Sequence, residues 1–416
     1  MGSLWGIIQN SSKGKVMAGR QGLPLAGVRV IEFTHMVMGP AAGLILADLG
    51  ADVIKIEPVE GDSTRRLPGS GAGYFPMYNR NKRSLCVDLK ADEGCRLVSR
   101  LIESADVLIE NFRPGTMERL GFGYEKLAEL HPRLIYCSEK GFLRGPYENR
   151  TALDEVAQMM GGLAYMTGPP GQPLRAGTSV IDVQGGMFGA VGIIAALHQR
   201  HATGRGQNVV ASLYESTVFL VGQHMAQFAV TGKPAAPMPV RVSAWAIYQV
   251  FETSDGQQVF VGVVSDKQWK DFCTAFELHE LAADRSLDGN NDRVAHKERL
   301  LPVIKASFRN YTKQALMAKL EKTGLPFAPI TKPEDLFDDP HLAANDGLVP
   351  ITITDGPRAG EKTRLPALPL EMDGARFGVH HDVPRAGEHS RELLREAGYT
   401  EAQVQDLLAR KIIAAL

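Results

Sequence analysis

The chain has 416 residues, with 46 Lys and Arg against 47 Asp and Glu for a formal charge of −1. A length of this order predicts about two to three domains and a large core. Near-neutrality with interspersed signs excludes the one-signed field that draws nucleic acid or an anionic membrane, leaving small molecules and further copies of the chain as the expected partners.

Four cysteines, Cys86, Cys95, Cys137 and Cys273, are scattered without C-x-x-C spacing. That argues against a disulfide framework or any metal site of the zinc type, and for a reducing, cytoplasmic compartment. Residues 1–21 are set aside as a leader too weakly apolar for a signal peptide, with Met17 an alternative start, and no apolar run approaches the roughly twenty residues of a membrane span.

From Val28 the pattern becomes regular. "GVRVIEF" reads as a strand, Ala41 to Leu49 as a helix opened by Gly39-Pro40 and closed by Gly50, and Ala51 to Glu57 as a second buried strand. "RSLCVDL", "DVLIENF" and "RLIYCSEKGF" supply further strands separated by "ADEGCRLVSRLIESA" and "RPGTMERLGFGYEKLAELHP", both helical. This alternation predicts an α/β fold with a mostly parallel sheet covered on both faces. A Gly-rich helical middle follows, then the Pro/Ala-rich linker "TGKPAAPMPVRVS". Beyond it, a hairpin turning at Ser254-Asp255-Gly256 and a run of helices to about Thr323 predict a smaller α+β domain. One more strand and two amphipathic helices close the chain.

Ligands of an open parallel sheet bind at the carboxyl ends of its strands. The loops there are Thr34-His35-Met36, Glu57-Pro58, Asn111-Phe112-Arg113 and Lys140-Gly141. The first lacks G-x-G-x-x-G, and the chain has no Walker motif, H-E-x-x-H or G-x-S-x-G, which disfavours a dinucleotide-linked dehydrogenase and the common hydrolases. Arg65, Arg66, Arg80, Lys82 and Arg83 cluster among aromatic residues and glycines. Such a group suits phosphate oxygens, and serves equally well as a solvated surface. Arg119 and Lys140 are better placed for an anion.

"TSVIDVQGGMFGA" raises a sharper question, because Asp182 stands among apolar residues just before Gly185-Gly186. A carboxylate in apolar company is a helix cap, a paired group or a reagent. The glycines permit close approach of a substrate, and close helix packing as well. Asp154 presents the same choice.

These segments, with "YNRNKRSLCVDLK", "LDEVAQMMGGLAYMTG" and "HATGRGQ", resemble the class III CoA-transferases, a family that includes formyl-CoA, carnitine and succinate-hydroxymethylglutarate CoA-transferases and is related to the α-methylacyl-CoA racemases. The resemblance runs from about Leu23 to the C-terminus. It implies a large Rossmann-like CoA-binding domain from both ends of the chain (22–225 and 336–416), a linker and small domain between (226–335), and two subunits interlocked as a homodimer. It also implies that Asp182 is the nucleophile. The CoA contacts carry over to His35, Met36, Val37, Val87, Lys90, Asn111, Phe112, Arg113, Arg119, Lys140, Leu153 and Asp154. Pro58 replaces an Arg that often holds the adenine end, so Arg65 or Arg66 is expected to substitute. Leu153 replaces the histidine base of the racemases, and "PMPVRVSAW" lacks the poly-glycine loop of the oxalate branch.

The resemblance further implies a transferase with no tightly bound cofactor, for which coenzyme A in an acyl-CoA is substrate. Succinyl-CoA, or another dicarboxylyl-CoA, is the expected donor and a small carboxylic acid the acceptor. Gly185 and Gly186 are candidate backbone donors to the oxyanion, Arg175 a candidate clamp on a distal carboxylate or else a surface guanidinium, and 239–245 a candidate lid. The alternatives are a CoA-dependent racemase or lyase and a non-catalytic acyl-CoA binder.

Overall fold

The computed structural model describes residues 15–17, 22–241 and 243–416. The chain divides into two compact units, Met1–Pro239 with Asp339–Leu416, and Val240–Asp338.

In the first unit the elements run β1 (Lys15–Met17), β2 (Arg29–Phe33), α1 (Met38–Asp48), β3 (Asp52–Glu57), α2 (Tyr74–Tyr78), β4 (Lys82–Val87), α3 (Asp92–Ile102) and β5 (Val107–Glu110). They continue as α4 (Thr116–Arg119), α5 (Tyr124–Leu130), β6 (Ile135–Lys140), α6 (Asp154–Met160), α7 (Leu163–Thr167), α8 (Val180–Thr203), β7 (Asn208–Ser212) and α9 (Leu213–Thr231). The main sheet has the order β4-β3-β2-β5-β6-β7, all parallel, with Ile413–Ala414 added antiparallel beside β4. This is the doubly wound Rossmann order, whose switch point falls between β2 and β5.

Side-chain alternation along each strand builds a core on both faces. On one face Val30, Val53, Ile109 and Cys137 meet α1 and α8; on the other Ile31, Ile54, Leu108 and Tyr136 meet α3 and α5. The returning helices Ser390–Glu396 and Glu401–Ala409 join the second face through Leu393, Leu394, Val404 and Leu407.

Two boundaries and the apolar character of one helix differ from the sequence reading. Residues 15–17 pair parallel with Ala375–Phe377, so part of the supposed leader belongs to a small sheet of this unit; the remainder of 1–21 lies outside the described residues. α9 runs six residues past the expected limit at 225 and ends where Gly232 turns left-handed (φ 66°). α8 has 24 residues and is apolar enough by length and composition to cross a membrane, contrary to the expectation that no such run exists. Part of that composition reflects a core position, since Ala190, Ile193 and Ala196 pack into the sheet, while Met187 and Val191 are exposed.

The second unit carries the expected hairpin, Ile247–Glu252 against Gln258–Val263, with Phe327–Pro329 as a third antiparallel strand. Phe251, Val261, Phe272, Ile304, Phe308 and Leu316 form its own core. The segment 239–245 crosses the junction of the units and includes position 242, outside the described residues.

Candidate active site

The switch point is tied together by a reciprocal pair. The His35 amide donates to Asn111 Oδ1 at 3.1 Å and Asn111 Nδ2 donates to the His35 carbonyl at 2.9 Å, joining the loops after β2 and β5. Met36 sits left-handed at φ 65°, its amide donating to Thr64 Oγ1. A non-glycine residue in that region costs about 1 kcal/mol or more and marks a constrained loop. His35 faces Phe112 with ring centroids 5.8 Å apart, and burial lowers its pKa. Lys140 at the end of β6 pairs with Glu110 at 2.6 Å and donates to the Phe112 carbonyl, adding a third strand end to the same cluster. Arg113 and Arg119 are exposed beside it, Arg119 donating to Thr116 Oγ1.

The structure overturns the reading of the basic cluster. Arg65 is buried, lies 3.6 Å over the Phe75 ring, and gives a two-pronged hydrogen bond to Glu57 and another to the Pro384 carbonyl. It cannot replace the absent arginine at Pro58. Arg80 is held by Asp48, and Arg83 by Asp52 with Glu392 and Glu396. Lys82 is held by Glu32 at 2.8 Å, and burial brings its pKa down to about 8 against the opposing pull of Glu32. Among these five only Arg66 is exposed. Buried ions are retained when paired, and here the pairs commit these groups to the fold rather than to a phosphate, although Arg80 Nη1 has no hydrogen-bonding partner among the described residues.

Val87 offers no side chain to a ligand. Its side chain is in the core and its backbone pairs with Ile413; Lys90, three residues on, is exposed. Val37 is buried, as the residue just before α1.

Asp182 lies in the first turn of α8, half-buried, and no described group hydrogen-bonds its side chain. The helix is capped from elsewhere. Asp154 Oδ2 accepts from the amides of Ile181 (2.8 Å) and Asp182 (3.1 Å), while its Oδ1 accepts from Gln158. Arg175 pairs with Glu155 and approaches Asp154 at 3.6 Å, so its guanidinium is already engaged. Leu153, just before Asp154, is 57% exposed and offers no acid–base group. Burial raises the pKa of Asp182 to about 7, with the negative charges of Asp154 and Glu155 adding to the effect and Arg175 opposing it.

Gly185 and Gly186 serve a different purpose from the one expected. They lie inside α8, where each amide is committed to the helix ladder, so neither can serve an oxyanion. A Cβ on Gly185 would stand 2.6 Å from the Met38 methyl, and one on Gly186 would stand 2.5 Å from the Met38 carbonyl oxygen. The pair therefore brings the start of α1 against α8, one turn from Asp182. α1 begins without a side-chain cap; Pro40 has no N–H and the Ala41 amide donates to the Val37 carbonyl, so the donors left at this helix start are the amides of Met38 and Gly39.

The CoA-transferase family III pattern matches residues 25–390. The chain belongs to CoA-transferase family III. It is 35% identical over 389 residues to the succinate–glutarate CoA-transferase of Agrobacterium fabrum, covering 90% of this chain and 95% of that one. It is 36% identical to the succinyl-CoA:mesaconate CoA-transferase of Haloarcula hispanica, covering 90% and 96%. The crystal structure of a CAIB/BAIF family protein from Brucella suis matches with a TM-score of 0.79 at 32% identity, over 91% of this chain and all of that one. This family III CoA-transferase is thus an enzyme that transfers CoA, and CoA thioesters are its substrates.

One residue of the transferase escaped sequence reasoning. Burial, together with the charges of Asp182 and Tyr74, pushes the Tyr78 phenol up to about 12, which keeps it a hydrogen-bond donor. Its only signal in the sequence is the i, i+4 spacing of two tyrosines ahead of "NRNKRS".

Proposed function

We propose that the enzyme moves CoA from succinyl-CoA, or another dicarboxylyl-CoA, to a small carboxylic acid through covalent intermediates on Asp182. The observation that carries this reading is the state of that side chain: half-buried, unpartnered, its pKa raised to about 7, at the start of a helix held by a second carboxylate. The names of the two relatives, both acting between succinate and another dicarboxylate, support the choice of donor.

In the proposed sequence an Asp182 oxygen attacks the thioester carbonyl and CoA leaves as thiolate, giving a mixed anhydride. The thiolate then attacks the aspartyl carbonyl, which expels the donor acid as carboxylate and leaves an aspartyl-CoA thioester. The acceptor carboxylate attacks that thioester, and the returning thiolate takes the acceptor's acyl group and frees Asp182. No proton is consumed and the thioester bond energy is conserved. The amides of Met38 and Gly39 at the start of α1 are the donors we assign to the developing oxyanion, in place of Gly185 and Gly186.

The anhydride must be kept from water. α8 and α9 of the first unit expose Met187, Val191, Phe219 and Val230, with Phe188 and Phe219 in edge contact at 5.5 Å. An apolar face of this extent on two adjoining helices fits burial by a second copy of the chain, in keeping with the expected homodimer.

The test is trapping with hydroxylamine. Incubation with succinyl-CoA should convert Asp182 to its hydroxamate, found by peptide mass mapping, while Asp182→Asn should lose nearly all exchange. Full turnover by Asp182→Asn would end the proposal.

A further inference from the structure

Glu139 stands on β6 one residue before Lys140, yet it takes no part in the switch-point cluster. Its side chain follows Ile135 and Cys137 onto the α1/α8 face of the sheet, where it is 2% exposed. Neither carboxyl oxygen has a hydrogen-bonding partner among the described residues. Room for it comes from Gly189 of α8, where a Cβ would lie 2.3 Å from Glu139 Oε1. Gly189 is about two helical turns beyond Asp182.

Glu32 makes a telling contrast. It projects from β2 onto the same face, and Gly43 of α1 gives way to it as Gly189 does to Glu139. Glu32 has Lys82 and the Thr34 hydroxyl as partners. Glu139 has no counterpart to either. The charged groups within reach are Glu32 of β2, Glu110 of β5, Asp182 of α8 and Lys82 of β4. Three are acidic, and Lys82, the one cation, is occupied by Glu32, Asn79 Oδ1 and the Pro40 carbonyl. α1 presents Ala42 near Gly189 and no titratable group there. A dry carboxyl among acids holds its proton, and burial first, then the three acids, raises its pKa well above the usual range.

We propose that Glu139 is a neutral, proton-holding positioning residue that acts through Asp182, leaving the nucleophile as the group that ionises on this side of α8 and sparing it a second unshielded anion. The inference rests on the proposed role of Asp182 only for its catalytic meaning. Its physical content stands apart: two carboxyl groups set about two turns apart along the same face of α8 are coupled, and at neutral pH one of them is protonated.

Infrared difference spectroscopy of the full-length enzyme tests it. Wild type minus Glu139→Gln at neutral pH should show the carbonyl stretch of a protonated carboxylic acid, and the same band should appear with isotope-edited glutamate in the unsubstituted protein, should the variant fail to fold. Asp182→Asn should keep the band and lower its titration midpoint by on the order of one pH unit, since a neighbouring negative charge has been removed. The acid limb of acylation in Glu139→Gln should stay where it is in wild type. Absence of the band, an unmoved midpoint in Asp182→Asn, or an acid limb displaced downward by about a unit in Glu139→Gln would each overturn the proposal. None of these readings depends on whether Asp182→Asn still exchanges CoA, so the covalent mechanism and the protonated Glu139 fail or survive separately.

Discussion

The Asp154 carboxylate caps the helix that carries Asp182: its Oδ2 accepts from the Ile181 and Asp182 amides at 2.8 and 3.1 Å, across a sequence gap of 28 residues to the latter. The same contact fixes the backbone at Asp182 and sets a negative charge beside its side chain. Asp154→Ala removes both, stranding two amides at a helix start. A loss of about 1–3 kcal/mol in stability is expected, visible as a lower midpoint in urea, with exchange activity reduced but not abolished. Wild-type stability in the variant would show that another group caps α8.

With burial raising the Asp182 pKa to about 7, the proposed acylation at that residue has a steep acid limb. Single-turnover acylation by succinyl-CoA should be level above about pH 8 and fall roughly tenfold per unit well below the midpoint. A midpoint near the ordinary carboxylate value would mean that burial does not hold in solution.

The same raised pKa opposes folding. Between the unfolded value near 4 and the folded value near 7 the native state binds the extra proton, so stability from this group is present at low pH and lost as pH rises. Asp182→Asn should therefore be more stable than wild type at pH 8, by on the order of 1–3 kcal/mol, and the two should converge near pH 4. Melting temperatures across that range decide it, and curves that stay parallel would refute it.

Arg65 separates a structural cation from a ligand-binding one. Arg65→Ala leaves Glu57 buried without its guanidinium, and a cost of about 3–5 kcal/mol is expected. The Michaelis constant for succinyl-CoA, measured on folded enzyme below its melting range, should change less than about threefold. A large rise in that constant with unchanged stability would restore the phosphate-binding role expected from the sequence.

That reversal shows where the sequence is legible. Alternation of β-rich and helical runs gives the strand order's ingredients, because each layer buries one periodic face, and "DVLIENF" and "RLIYCSEKGF" became β5 and β6 in parallel register. Asp182 is legible as a lone charge before a helical run. Ion pairing is not, since Arg65 meets Glu57 eight residues earlier but also Pro384, 319 residues later. Composition cannot distinguish a solvated cluster from one closed over by a returning segment. Gly185 and Gly186 carried two meanings, and only the position of Met38 selects helix packing. Glu139 was invisible because an unpaired buried carboxyl has the same letter as an exposed one.

Two substitutions around Asp182 should move its titration in opposite directions. Asp154 raises the pKa of Asp182 through its negative charge, and Arg175 lowers it through its positive one. Asp154→Asn keeps an oxygen able to accept from the Ile181 amide while removing the charge, so the acid limb of acylation should move to lower pH. Arg175→Gln also frees Glu155, its ion-pair partner, so the limb should move to higher pH. Shifts of on the order of 0.5–1 unit are expected for each. The sign matters more than the size. A structural disturbance at the start of α8 would slow both variants without sorting them to opposite sides of wild type, whereas an electrostatic field at Asp182 must sort them. Limbs displaced in the same direction would mean that the charges around Asp182 do not govern its ionisation.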